Sequence, residues 1–207
     1  MDVAQFKKMP VMGIVRGVEL GQIEPLIETV ISSGLKTLEI TMNTEGAEQI
    51  IRKAKQISKK RLVLGAGTVL DMESLKQALY AGATFIVMPV LVKDVLAHCL
   101  KNKIPAFPGA LTPQEIYTAW KEGATMVKVF PAKFFGPEYL REIKGPFNDI
   151  ELLAVAGVTA QNMREYFSCG ASAIAFGASV FKKEWLKNND FSSISSAIKA
   201  YLQQLPL

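Results

Sequence analysis

IPAFPGALTPQEIYTAWKEGATMVKVF, residues 104–130, contains one full repeat of the fold. It opens with an apolar run, 104–107, which has strand character. Thr112 then stands before Pro113 and Glu115, an N-cap followed by a proline in the first helical turn. An amphipathic pattern fills 113–122 and stops at Gly123, since glycine accepts the left-handed conformation that ends a helix. A second apolar run, 126–130, follows. Strand, helix and strand in this order imply parallel pairing.

The same unit recurs along the chain. Strand character is read at 10–15, 37–41, 62–64, 85–88, 104–107, 126–130, 152–155 and 173–176. Helical patterns occupy 20–33, 44–58, 71–81, 92–102, 113–122, 136–143, 159–169 and 190–204. Asp71 caps one of these helices as Thr112 caps another, and Gly34, Gly82 and Gly170 end helices as Gly123 does. Nearly continuous apolar strands imply burial on both faces. Eight such units close into a ring, so the expectation is a (β/α)8 TIM barrel, a single domain over 1–207. An open doubly wound sheet is the alternative, but no interior strand is followed by a dinucleotide-type glycine loop.

Composition narrows the function. Of 207 residues, 49% are hydrophobic and 21% charged, which suits a globular domain with a large core. The net charge is +5. Its densest basic run, Lys59-Lys60-Arg61, sits at a helix-to-strand connection, and no basic stripe carries interleaved aromatics, so no nucleic-acid partner is expected. A mildly basic surface does attract phosphorylated metabolites. Cys99 and Cys169 lack metal or redox spacing and read as small buried hydrophobes. Residues 1–8 have no signal-peptide core, and no apolar run reaches the ~18 residues of a membrane span. The expected location is the cytoplasm, away from membranes. His98 is the only histidine, which rules out multi-histidine metal sites. Within the pattern 92–102 it reads as a surface or packing residue.

The active sites of such barrels lie at the C-terminal ends of the strands. The residues there are Arg16, Glu39, Asn43, Thr68, Pro89, Gly109, Lys128, Gly157 and the Gly177-Ala178-Ser179 turn. Lys128 interrupts Met126-Val127-Lys128-Val129-Phe130, and alternation turns it, with Phe130, into the barrel. Burial lowers a lysine's pKa, and a free amine can attack a ketone to form an imine. Lys133, in the loop behind Pro131-Ala132, is a weaker rival. Glu39, between Leu38 and Ile40, is a carboxylate in an apolar strand. It needs a partner such as Lys128 or Arg16, and it could move protons at the carbon next to an imine. Arg16 suits a carboxylate at the barrel mouth. In Gly65-Ala66-Gly67-Thr68, small residues let a ligand approach and Thr68 offers a hydroxyl. Ala156-Gly157-Val158 and Gly177-Ala178-Ser179 offer backbone N–H groups of the kind that hold phosphate.

Together these motifs resemble the 2-keto-3-deoxy-6-phosphogluconate/4-hydroxy-2-oxoglutarate aldolase family. The resemblance runs along nearly the whole chain, through Leu38-Glu39-Ile40-Thr41, Gly65-Ala66-Gly67-Thr68-Val69, Pro108-Gly109, Lys128-Val129-Phe130-Pro131-Ala132, Phe135-Gly136-Pro137, Gly145-Pro146-Phe147 and Ala156-Gly157-Val158. It implies a class I lyase with Lys128 as imine-forming amine and Glu39 as general acid and base. Arg16, Thr68, Asn43, Pro89 and Phe130 would line the substrate site, and Gly157, Gly177, Ala178 and Ser179 the phosphate region. It also implies a homotrimer, no cofactor, no metal, and a small phosphorylated keto acid as substrate. Asn43 and Val155 depart from the gluconate branch and resemble the branch that cleaves the galactonate epimer. Ala156 stands where the family has a first glycine. Other readings are a phosphate-binding barrel isomerase or epimerase, and a sugar-acid phosphate binder without turnover.

Overall fold

The computed structural model describes residues 1–205, so residues 206 and 207 of the expected domain lie outside it. Its elements, in chain order, are α1 (Val3–Lys8), β1 (Val11–Val15), α2 (Ile23–Ser32), β2 (Thr37–Thr41), α3 (Ala47–Ser58), β3 (Val63–Gly67), α4 (Met72–Ala81), β4 (Ile86–Val87), α5 (Lys93–Lys101), β5 (Ala106–Phe107), β6 (Gly109–Ala110), α6 (Pro113–Lys121), β7 (Val127–Val129), α7 (Gly136–Lys144), β8 (Leu152–Val155), α8 (Met163–Ser168), β9 (Ala173–Phe176), α9 (Lys183–Lys187) and α10 (Phe191–Leu202). All strand pairs are parallel, in the order β5-β4-β3-β2-β1-β9-β8-β7-β6.

β5 and β6 stand at opposite ends of that order but are separated only by Pro108. Proline lacks the N–H a ladder needs, so it splits one strand into two pieces. One piece pairs with β4 and the other with β7, and the ring closes through them. The result is the eight-stranded barrel the alternation implied.

Two apolar layers follow from strand periodicity. Met12, Phe85, Val87, Phe107, Met126, Leu153, Val155, Ala173 and Ala175 fill the lumen. The alternate residues, such as Val127, Val129, Leu152 and Ile174, pack outward against the helices. The expected caps are present: Ser74 N–H donates to Asp71 at 2.7 Å and Glu115 N–H to Thr112 at 3.3 Å.

Apart from shifts at element ends and the short helix α9, which the periodicity did not signal, three elements differ from expectation. β3 starts and ends later than 62–64, because Gly65-Ala66-Gly67 continues the strand. The glycines make room in the lumen. A Cβ on Gly65 would lie 2.3 Å from the Phe85 ring, and one on Gly67 would lie 1.5 Å from Glu39 Oε1. The helix expected over 159–169 shortens to α8, because Thr159 and Asn162 bond each other's backbone N–H groups and hold a turn. The third difference is α1, which sequence periodicity did not signal. Asp2 caps it, and its Phe6 closes the N-terminal end of the lumen edge-on to Phe107, with ring centroids 6.1 Å apart.

Candidate active site

β2 and β7 stand four places apart in the ring of eight, so Glu39 and Lys128 face each other across the lumen. Lys128 is 6% exposed and Glu39 1%. Both point inward, as alternation implied. Lys128 Nζ lies 4.8 Å from the centre of the Phe130 ring. The close ion pairs among the described residues lie elsewhere, so no carboxylate oxygen comes within 4.0 Å of this ammonium. The two groups are therefore not a contact ion pair. Glu39 Oε2 is buried with no hydrogen-bond partner. Buried polar atoms are normally paired, so an oxygen of this kind points to a partner that arrives with ligand.

Burial dominates both titrations. It pushes the Glu39 carboxyl above the usual carboxylate range, against the opposing charges of Lys128 and Arg16. It pushes the Lys128 amine below the usual lysine range, with the Glu39 charge working the other way and Arg16 adding to the depression. The pair is thus biased toward a neutral acid and a free amine, the forms that imine chemistry starts from.

The other residues form the rim. Arg16, directly after β1, is exposed, yet its charge reaches both Glu39 and Lys128. Thr68 follows β3 directly, in a left-handed conformation with φ of 57°. Pro89, Gly109 and Phe130 line a cleft of about 400 Å³ beside the lysine. Gly109 has to be glycine there, because a Cβ would lie 2.0 Å from the Pro89 carbonyl oxygen. Asn43 is exposed in the turn after β2 and does not cap α3, which begins behind Gly46. Thr44, absent from the sequence reading, performs the local bonding: its Oγ1 accepts from Gly17 N–H and lies 3.0 Å from Thr41 Oγ1. Lys133 is exposed, its ammonium 5.0 Å from the Phe134 ring centre, so burial distinguishes Lys128 from it.

The two turns expected to offer backbone N–H groups are joined through α10. Ala156 and Gly157 are both left-handed, φ 71° and 87°. The methyl of Ala156 therefore does not abolish the turn. It is accommodated in a conformation that disfavours any side chain. Beyond β9, the carbonyl of Gly177 accepts from Val180 and Phe181, leaving Ala178 and Ser179 at the start of the turn. Tyr201 on α10 joins the two loops. Its hydroxyl donates to the Val158 carbonyl at 2.7 Å and lies 2.8 Å from Ser179 Oγ. Because the tyrosine proton is committed to Val158, Ser179 must donate to Tyr201. Its hydroxyl then has no proton for an anion, and only its backbone N–H can serve one.

His98 sits half-buried on α5, and both cysteines are buried and free. Among the described residues no group of three or more His, Cys, Asp or Glu could hold a metal ion, and no helix is long and apolar enough to cross a membrane.

The family description "Aldolase: KDPG and KHG aldolase" matches residues 3–197. The chain is 28% identical over 195 residues to the 2-dehydro-3-deoxy-6-phosphogalactonate aldolase of Escherichia coli K12, covering 94% of this chain and 95% of that one. It is 30% identical over 197 residues to the 2-dehydro-3-deoxy-phosphogluconate aldolase of Pseudomonas aeruginosa PAO1, covering 95% and 88%. Among solved structures it is similar to the KDPG aldolase of Legionella pneumophila with pyruvate captured as a covalent carbinolamine. That match has a TM-score of 0.86, 26% identity and 93% coverage of each chain.

Proposed function

The chain belongs to the KDPG and KHG aldolase family, and from that premise we propose a class I aldolase that cleaves a 2-keto-3-deoxy-6-phospho sugar acid to pyruvate and glyceraldehyde 3-phosphate. One observation carries the reading: a buried lysine without a contact counter-ion faces a buried carboxylate with an unpartnered oxygen, at the C-terminal mouth of a barrel.

Lys128 Nζ adds to the C2 carbonyl and forms a carbinolamine. Glu39, whose protonated form burial favours, gives its proton to the departing hydroxyl. Water leaves, an iminium remains, and Glu39 becomes a carboxylate. The carboxylate takes the C4 hydroxyl proton as the C3–C4 bond breaks. The bond's electrons pass into the iminium, giving an enamine, and the aldehyde departs. Glu39 gives the proton to C3 and is again a carboxylate; water then hydrolyses the new iminium to pyruvate and free Lys128, and the proton released returns to Glu39. Arg16 holds the substrate carboxylate with Thr68 beside it, and Asn43, Pro89 and Phe130 line the sugar-acid chain. The backbone of Gly157, Gly177, Ala178 and Ser179 holds the phosphate. No metal or other cofactor enters this scheme.

The galactonate epimer is the second reading, favoured by Asn43, Val155 and the Escherichia coli relative. The whole of 1–207 would act as one catalytic domain, in the cytoplasm, as a homotrimer. Exposed Phe134 and Phe135 beside the mouth suit a subunit contact. The test is pyruvate release from the gluconate and galactonate epimers and from 4-hydroxy-2-oxoglutarate, side by side. Turnover of a phosphorylated epimer, undiminished by chelators, is expected. Release from none of the three, or release that requires added metal, would overturn the proposal.

A further inference from the structure

The opposite end of the barrel holds a cavity of about 510 Å³, between α1 and the starts of β2 and β3. That volume falls within the roughly 300–1,000 Å³ of small-molecule sites. Its apolar floor is Phe6, Met9 and Val63, and its rim carries Lys8, Lys36, Lys60 and Arg61.

The rim is not neutralised from within. Arg61 is held by Glu28, at 2.5 and 3.0 Å through its two terminal nitrogens. Lys8, Lys36 and Lys60 have no carboxylate within 4.0 Å among the described residues. The acid that also lines the cavity, Asp2, accepts from Ala4 N–H and Gln5 N–H at the start of α1 and is committed as a cap.

A second, independent feature is the backbone that delivers Lys60. α3 ends on two successive left-handed residues, Lys59 (φ 44°) and Lys60 (φ 70°). Helices usually place glycine at such a position. Unfavourable backbone persists where the surroundings demand it and tends to gather at sites that bind. Here it keeps a lysine at the rim where a glycine would be easier to fold.

We propose that this basal cavity is a second ligand site, separate from the mouth, for an organic polyphosphate. The phosphates would sit among Lys8, Lys36 and Lys60, and an apolar group would lie on Phe6, Met9 and Val63. ADP is a suitable probe, with pyrophosphate and adenosine as its two halves, measured by calorimetric titration. ADP binds saturably, pyrophosphate more weakly, adenosine not at all, and added salt weakens ADP because the rim contacts are ionic. The double variant K36Q/K60Q, which removes two charges and keeps polar, unbranched side chains, binds ADP at least about tenfold more weakly. It releases pyruvate from substrate at the wild-type rate. The proposal is overturned by the absence of saturable ADP binding, by adenosine binding as tightly as ADP, or by a loss in K36Q/K60Q smaller than tenfold. Binding that survives in the double variant would place ADP at the mouth instead.

Discussion

Replacing Gly67 with alanine should disable the site by moving one carboxylate. Gly67 does not use the left-handed region, so alanine fits its backbone. The obstacle is Glu39: the new Cβ would lie 1.5 Å from Oε1 and 2.1 Å from Cδ. Ordinary van der Waals contact begins near 3.4 Å, so the carboxylate must retreat by about 2 Å. A displacement of about 1 Å can cost a hundredfold in rate, and a general acid–base group supplies roughly 10²- to 10⁴-fold. Gly67→Ala is therefore expected to lower kcat for pyruvate release by 10²- to 10⁴-fold, with circular dichroism and the thermal transition showing a folded barrel. Glu39→Gln should lose a comparable factor. Since both act on one group, the double variant should lose little beyond either single variant, a strong departure from additivity. A folded Gly67→Ala enzyme within about threefold of wild-type kcat, or losses that multiply in the double variant, would refute the reasoning.

Other perturbations follow from the same geometry. Glu39→Gln also tests the titration. A carboxyl raised in the fold favours folding below its unfolded value of 4.5, and that contribution is lost as pH rises through the folded value. Urea unfolding should therefore show the variant gaining on wild type from about pH 4.5 upward and then levelling off; a gap independent of pH counts against the shift. Lys128→Met removes a buried amine that has no contact carboxylate while filling its space, so it should abolish turnover and raise the thermal midpoint; a lower midpoint would mean that the amine contributes net stability to the fold. Ala156→Gly relieves a left-handed alanine and should stabilise the chain by about 1 kcal/mol in urea titration. Tyr201→Phe cuts the link between the two turns. It should raise KM several-fold for a phosphorylated substrate and leave KM for 4-hydroxy-2-oxoglutarate unchanged, whereas equal changes for both would mean a general loss of structure.

The parts of the fold that could be read from sequence are those set by local periodicity. Strands 152–155 and 173–176 agree residue for residue, because a buried parallel strand is a bare apolar run with sharp ends. β3 runs past its expected end because glycine usually signals a turn, whereas its use here as lumen space for Phe85 and Glu39 depends on residues from other strands. α1 escaped notice because six residues with one buried side chain carry no periodicity. In the site, inward-facing Lys128 and Glu39 were legible because alternation needs only near neighbours. The absence of a contact between them was not, since their separation is set by the barrel's diameter. Tyr201 could not be found either: it bonds residues 22 and 43 positions away, and only closure of the barrel brings them together. Ser179 was identified by position but not by role, because its proton is assigned by that same distant tyrosine.

The central claim is that Lys128 carries a free amine that bonds to a ketone carbon. Incubation with pyruvate and borohydride, followed by peptide mass analysis, tests it directly. A stable adduct on Lys128, absent in Lys128→Met and with Lys133 unmodified, is the predicted result. No adduct, or an adduct on Lys133 or any other lysine, would contradict the account.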